Sequence, residues 1–149
     1  MTHLYIFAFI AGAAMALQAG FNAQLGELLN NTQLAAVVAF CASLLLGIVI
    51  LLSVSSPLPS IATIKNVPIY LWFAGGVLSS LGISIIYFLI PKMGIASMMP
   101  YFLIGQLITA IFAGYFGLFD KPTIPFSINK LLGLVLLIAG IMLINKQTS

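Results

Sequence analysis

The chain of 149 residues is 62% hydrophobic and only 5% charged, with a mean hydropathy of +1.24. Soluble domains carry about 25% charged residues, so this composition excludes a water-soluble domain and predicts an all-α integral membrane protein. The formal net charge of +3 is too weak to indicate nucleic-acid binding, because lysines beside apolar spans simply meet lipid headgroups.

Apolar segments of roughly 20 residues, the length needed to cross the hydrocarbon core, recur along the chain. The first has no basic region before it and is followed by similar segments, so we predict a helix rather than a signal peptide. Ser127 is placed to cap the last helix, and Pro91 to Gly94 is expected to form a tight turn. We predict one transmembrane domain over residues 1–149 with five spans, at about residues 4–25, 34–54, 69–90, 95–119 and 128–144.

The first span ends in a run that is unusually polar for a membrane helix. Gln18, Asn22 and Gly26 are spaced four apart, so they form one stripe on a helix. A polar stripe at membrane depth is costly unless it faces protein or water, so we predict that it lines an internal pathway. Glu27 lies at its end and is a candidate for proton coupling; the alternative is a solvated charge at headgroup level.

Other polar residues lie within the later spans. Gln106 needs a partner, which is either another helix, in a contact worth about 0.6 to 2 kcal/mol, or a substrate. Tyr87 and Tyr101 are the tyrosines that we place near a substrate site together with Gln18, Asn22 and Gln106. Pro100 removes one backbone hydrogen bond from its helix and predicts a kink or hinge.

Catalytic groups are scarce. The single histidine, His3, has no Cys, Asp or Glu near it in sequence, and the chain contains no metal-ligand cluster, nucleophile triad or phosphate loop. Asp120 and Lys121 are expected to pair locally in a loop. The sequence therefore predicts no cofactor, no metal and no enzyme activity.

Small residues recur every four positions on several spans, a pattern that lets helix backbones approach closely in lipid. The first span carries such a stripe from Ala8 to Gly20, and the fourth carries one from Gly105 to Gly117. The third span contributes a pair of adjacent glycines. We predict helix packing at Gly12, Gly20, Gly75, Gly76, Gly105 and Gly117.

Five spans place the two termini on opposite sides of the membrane. Lys65, Lys121 and Lys130 then share the N-terminal side, and Lys92 and Lys146 share the other. This is almost no positive-inside bias, so the chain can insert in both orientations. Since many transporters consist of two inverted repeats and this chain has only one, we predict an antiparallel homodimer; a heterodimer with a paralogue is the alternative.

Several motifs resemble one family. Residues 18–26 resemble the first-helix signature of the YdcZ-type inner-membrane exporters, and residues 72–76, 91–94, 105–107 and 116–118 match that family in the correct order. The resemblance implies a single-domain, five-helix member of the drug/metabolite transporter superfamily in the bacterial inner membrane. It also implies that Gln18, Asn22 and Gln106 are the motif's polar residues.

The chain departs from that family at one motif. Where many relatives have an Asp-His pair, this chain has Gly114 and Tyr115, which argues against a mechanism that needs an acid there. We therefore predict a secondary transporter that exports small polar or amphipathic metabolites or drugs by alternating access. The alternative is a non-transporting membrane scaffold or an accessory subunit of another complex.

Overall fold

A computed structural model describes residues 2–54, 57–119, 122–125 and 127–146. These residues form helices and no strands, and five of the helices (all except α3) are long and apolar enough to cross a membrane. The all-α membrane class and the number of spans are thus confirmed. The expected pair of Asp120 and Lys121 lies outside the described residues. The helices are α1 Thr2–Leu28, α2 Thr32–Ser53, α3 Ile61–Lys65, α4 Ile69–Met93, α5 Ile95–Tyr115 and α6 Ile128–Asn145.

Two consecutive asparagines connect α1 to α2. Asn30 has a positive φ of 50°, which Asn tolerates better than most residues, and this conformation ends α1. The Asn31 backbone N–H then donates to the Gly26 carbonyl at 3.0 Å. The Asn31 side chain accepts a 3.0 Å hydrogen bond from the Leu34 backbone N–H and so caps α2. The two helices therefore form a tight antiparallel hairpin.

Small residues form the seam of this hairpin. Ala19 and Ala23 of α1 are buried, as are Ala35 and Ala36 of α2. A Cβ atom on Gly26 would lie 3.3 Å from the Thr32 Cα atom, so only glycine fits there without displacing the backbone. The seam follows the small residues that lie near the connection, where the backbones are closest.

Most of the glycines that were predicted to pack helices together are exposed in the structure. Gly20 is half-buried, and Gly12, Gly75, Gly76 and Gly105 are exposed. A Cβ atom on any of these four exposed glycines would meet nothing within 4 Å among the described residues. Their role in helix packing stays a prediction that needs a partner surface.

The turn between α4 and α5 is shorter than expected. Pro91 lies inside α4, which continues to Met93, and Gly94 alone separates the two helices. Gly94 has a φ of +78°, a conformation that side chains disfavour. Because Pro91 has no N–H, the Tyr87 carbonyl four residues earlier lacks its helical hydrogen bond.

The end of α5 is set by Gly117. With a φ of +62° at this residue, the Leu118 N–H donates to the Ala113 carbonyl at 2.9 Å, which is the Schellman arrangement that stops a helix. As a result α5 ends at Tyr115, before the expected end of this span at Phe119. Gly117 thus has a conformational role that its spacing did not indicate. Ser127 caps α6 by accepting from the Asn129 N–H at 3.2 Å, as predicted.

The chain divides into two compact units, Met1–Lys92 and Met93–Ser149. The first contains the α1–α2 hairpin, α3 and α4, and the second contains the α5–α6 pair. Most large apolar side chains of both units are exposed, which in a membrane means contact with lipid or with another helix. The single-domain organisation stays a prediction.

The Gly26 contact makes a direct prediction about stability. We expect Gly26→Leu to lower the free energy of unfolding by about 1 to 3 kcal/mol, because the added side chain is forced against the Thr32 backbone. Gly47→Leu is the matched control, since a Cβ at Gly47 meets nothing within 4 Å. The measurement is the unfolding midpoint in detergent. Equal losses in the two variants would contradict the close approach at Gly26.

Candidate functional site

The site is centred on the hydroxyl of Tyr87, a residue of α4 whose side chain is 1% exposed. The side-chain amides of Gln18 and Asn22 both donate hydrogen bonds to this oxygen, and the distance from Asn22 Nδ2 to Tyr87 Oη is 2.9 Å. Gln18 and Asn22 lie one turn apart on the same face of α1, which is why two donors reach one acceptor. Three of the predicted site residues therefore lie together in unit Met1–Lys92.

A second polar contact joins α4 to the hairpin. The Ser84 hydroxyl donates to Gln33 Oε1 at 3.1 Å. Ser84 and Tyr87 are three residues apart on α4, so they share one face. We call the residues of the two contacts the polar clasp: Gln18, Asn22, Gln33, Ser84 and Tyr87.

Gln33 was missed by the sequence analysis, which began the second span at Leu34 and so left this amide in a loop. In the structure it is the second residue of α2, and its side chain faces α4. Ser84 is visible in the sequence as a polar residue of the third span, but nothing there indicates its partner. The three-residue spacing between Ser84 and Tyr87 is the one local pattern that marks this face of α4.

The polar clasp spans a gap between helices. No Cα atom of α4 lies within 8 Å of a Cα atom of α1 or α2 among the described residues, whereas α1 and α2 approach each other closely. Close-packed helices have axes 8 to 10 Å apart, which brings many Cα atoms nearer than this. Hydrogen bonds through the long side chains of Tyr87, Gln18 and Gln33 therefore connect α4 to the hairpin where backbone packing does not.

All five residues of the polar clasp are neutral. A charge inside a bilayer costs several kcal/mol, whereas an amide or a hydroxyl is tolerated when it finds a partner. Two amide donors that converge on one oxygen form a site that recognises a hydroxyl or carbonyl oxygen. In the described part of the chain, no group of three His, Cys, Asp or Glu residues is close enough to hold a metal ion.

The remaining predicted site residues occupy exposed positions. Glu27 is exposed in the last turn of α1. Tyr101 and Gln106 are exposed on α5, and Pro100 is half-buried within the same helix. Gln106 makes no side-chain hydrogen bond with the described residues, so both of its proposed roles stay predictions. The hydroxyl of Thr109, by contrast, is satisfied by the Gly105 carbonyl at 2.8 Å.

The second unit contains an apolar groove between α5 and α6, with a volume of about 440 Å³. Phe112, Tyr115 and Phe116 line one wall, and Leu131 and Lys130 line the other. The Lys130 ammonium donates to the Pro125 carbonyl at 3.4 Å. The groove has the character of a lipid-facing surface rather than of a polar site.

Five helices long and apolar enough to cross a membrane define a multi-pass membrane protein, and a neutral polar site lies at one helix face. A family model described as "Putative inner membrane exporter, YdcZ" matches residues 3–143, and the chain belongs to this family. It is thus a multi-pass inner-membrane protein of an exporter family rather than of an enzyme family. No curated protein and no solved structure matches the chain significantly.

The hydrogen bond between Asn22 and Tyr87 predicts a measurable coupling. In a double-mutant cycle of Asn22→Ala and Tyr87→Phe, we expect a coupling free energy of about 0.6 kcal/mol, the average for hydrogen bonds between membrane helices. The measurement is reversible unfolding in mixed micelles. The control cycle pairs Asn22→Ala with Tyr70→Phe, because Tyr70 is an exposed tyrosine at the other end of α4. Additivity in both cycles would contradict the contact.

Proposed function

We propose that this protein is a secondary transporter that exports small polar or amphipathic solutes by alternating access as an antiparallel homodimer. Membership of an exporter family supports the transport activity. The observation that carries the proposal is the polar clasp, a set of five neutral polar side chains on otherwise apolar helices. Such a set is costly in lipid unless it serves packing or a solute pathway.

The number of helices supports the antiparallel dimer. With an odd number of spans, a tandem copy of the chain would enter the membrane inverted, and inverted repeats are a common way to build two alternating gates. If each of the five helices crosses the membrane, Lys65 and Lys130 fall on one side and Lys92 and Lys146 on the other, and charge then imposes no orientation. The open faces at the exposed glycines are surfaces on which a second copy or a paralogue can pack.

The residue chemistry supports a neutral or zwitterionic solute. Gln18, Asn22 and Tyr87 supply amide and hydroxyl groups, and we propose that Gln106 and Tyr101 of α5 also bind the solute. No carboxylate lies in the polar clasp, so a permanent cation has no counter-charge there. Glu27 is the proposed coupling carboxylate by elimination, and Pro100 is the proposed hinge of α5.

Orientation is tested with one engineered cysteine. In a Cys41→Ala background, we expect Thr2→Cys to react with an impermeant maleimide in about half of the molecules of intact cells and in all molecules after permeabilisation. Both residues are exposed in the chain as it stands, so the reagent is not blocked by the fold. Labelling from one side only would contradict the antiparallel dimer and favour the alternative, a scaffold or accessory subunit.

Transport is tested in proteoliposomes, with amino acids, nucleosides, neutral hydroxyl-bearing amphiphiles and tetraphenylphosphonium as solutes. We expect flux of a neutral or zwitterionic solute, and a loss of at least about fivefold in Gln18→Ala, because about 1 kcal/mol of binding free energy is removed. Gly47→Ala is the control, since this exposed residue contacts nothing within 4 Å.

Two results would contradict parts of this proposal. Absence of flux for every solute class, with Gln18→Ala and Gln106→Leu altering assembly alone, would favour a scaffold. Full flux driven by a pH gradient in Glu27→Gln would remove Glu27 from coupling.

A further inference from the structure

The Tyr87 hydroxyl either binds a transported solute or occupies the place that the solute takes. The amides of Gln18 and Asn22 both donate to the Tyr87 oxygen, so these two N–H groups are not free for a solute while Tyr87 stays in place. We infer that the Tyr87 hydroxyl is an internal occupant of the solute site and the latch of a gate between α4 and the α1–α2 hairpin. This inference rests on the proposed function.

The gap between α4 and the hairpin makes such a latch effective. Because no Cα atom of α4 lies within 8 Å of one in α1 or α2, side chains make the contacts that oppose separation, and these include the hydrogen bonds of the polar clasp. Hydrogen bonds between helices in a bilayer are individually weak, since the separated groups find other partners. The clasp can therefore open without separating closely packed helix backbones.

A bend point lies beside the latch. Pro91 removes the hydrogen bond that the Tyr87 carbonyl would otherwise accept, and prolines are the commonest cause of kinks in helices. Gly94 follows three residues after Pro91; it is the single residue between α4 and α5, and its φ is +78°. The end of α4 that carries Tyr87 is thus the part of that helix best able to move away from α1.

The clasp lies off the centre of the membrane. Asn22 is about 9 Å along the axis from the end of α1, and Tyr87 is about 9 Å from the end of α4, on the same side. A single clasp therefore closes the protein towards that side. An inverted second copy places its own clasp near the opposite face, so an antiparallel dimer has one latch for each of two gates.

The chemistry of the latch names the class of solute. When Tyr87 moves away, the amide groups of Gln18 and Asn22 lose their acceptor, and a neutral solute with a hydroxyl or carbonyl oxygen replaces it. A cation without an acceptor oxygen does not. Since such a solute binds the open state and Tyr87 occupies the closed one, binding shifts the population towards the open gate.

The test measures the gate directly by electron spin resonance. Spin labels are attached at Leu29→Cys and Lys92→Cys, two exposed residues at the same end of α1 and α4, in a Cys41→Ala background. The protein is reconstituted into phosphatidylethanolamine and phosphatidylglycerol vesicles with excess unlabelled protein, so that distances within one chain are recorded. We expect a short and a long distance population, for the closed and open gate.

Removal of the Tyr87 hydroxyl should open the gate. We expect Tyr87→Phe to raise the ratio of long to short distances by about fivefold to tenfold, the effect of losing two interhelical hydrogen bonds. Ser84→Ala removes one interhelical hydrogen bond and should raise the ratio of long to short distances by about two- to threefold. Tyr70→Phe is the control and should leave the ratio unchanged. No shift in Tyr87→Phe and Ser84→Ala would overturn the inference.

Two small probes test the internal-occupant role. In the wild-type protein, 4-methylphenol, which carries the tyrosine hydroxyl, should raise the long-distance population, whereas toluene should not. Equal effects of the two compounds would overturn this role. The distance measurements do not depend on transport, so the two proposals can fail separately. If solute flux is observed but Tyr87→Phe does not change the distance ratio, the latch is contradicted. If the distance ratio changes but no solute is transported, the transporter function is contradicted.

Discussion

The hydrogen bonds from Gln18 and Asn22 to the Tyr87 hydroxyl are the contact on which the first unit depends. They satisfy two amides that would be costly in lipid, involve Tyr87, the buried one of the two tyrosines of α4, and connect α4 to the hairpin where the backbones do not approach closely. Without them the polar stripe of α1 would face hydrocarbon.

The same unit combines a rigid part and a loosely held part. The hairpin of α1 and α2 is packed through alanines and Gly26, at a separation where even one added Cβ is crowded. The polar contacts between α4 and the hairpin are hydrogen bonds between neutral side chains. A charged pair would cost more to expose, so neutral groups suit the latch proposed above.

Several features of the fold were predictable because they depend on local sequence. Continuous apolar runs of membrane length predict spans, and the Ser127 cap follows from residue type and position. The ends of the spans were less predictable. Hydropathy continues past Tyr115, but the positive φ of Gly117 stops α5, and a proline that usually marks a turn lies inside α4 at position 91. Such ends depend on backbone conformation, which hydropathy does not record.

For the site, the sequence by itself determined which polar residues lie at membrane depth, since four-residue spacing places Gln18 and Asn22 on one helix face. Only the tertiary structure decided what they meet. Tyr87 is 65 residues from Asn22 and 69 from Gln18 along the chain, and Gln33 is 51 from Ser84. Helix periodicity relates residues within one helix, whereas contacts between helices depend on how their faces pack. The structure therefore places the Tyr87 hydroxyl against the two amides of α1, a contact that the sequence did not indicate.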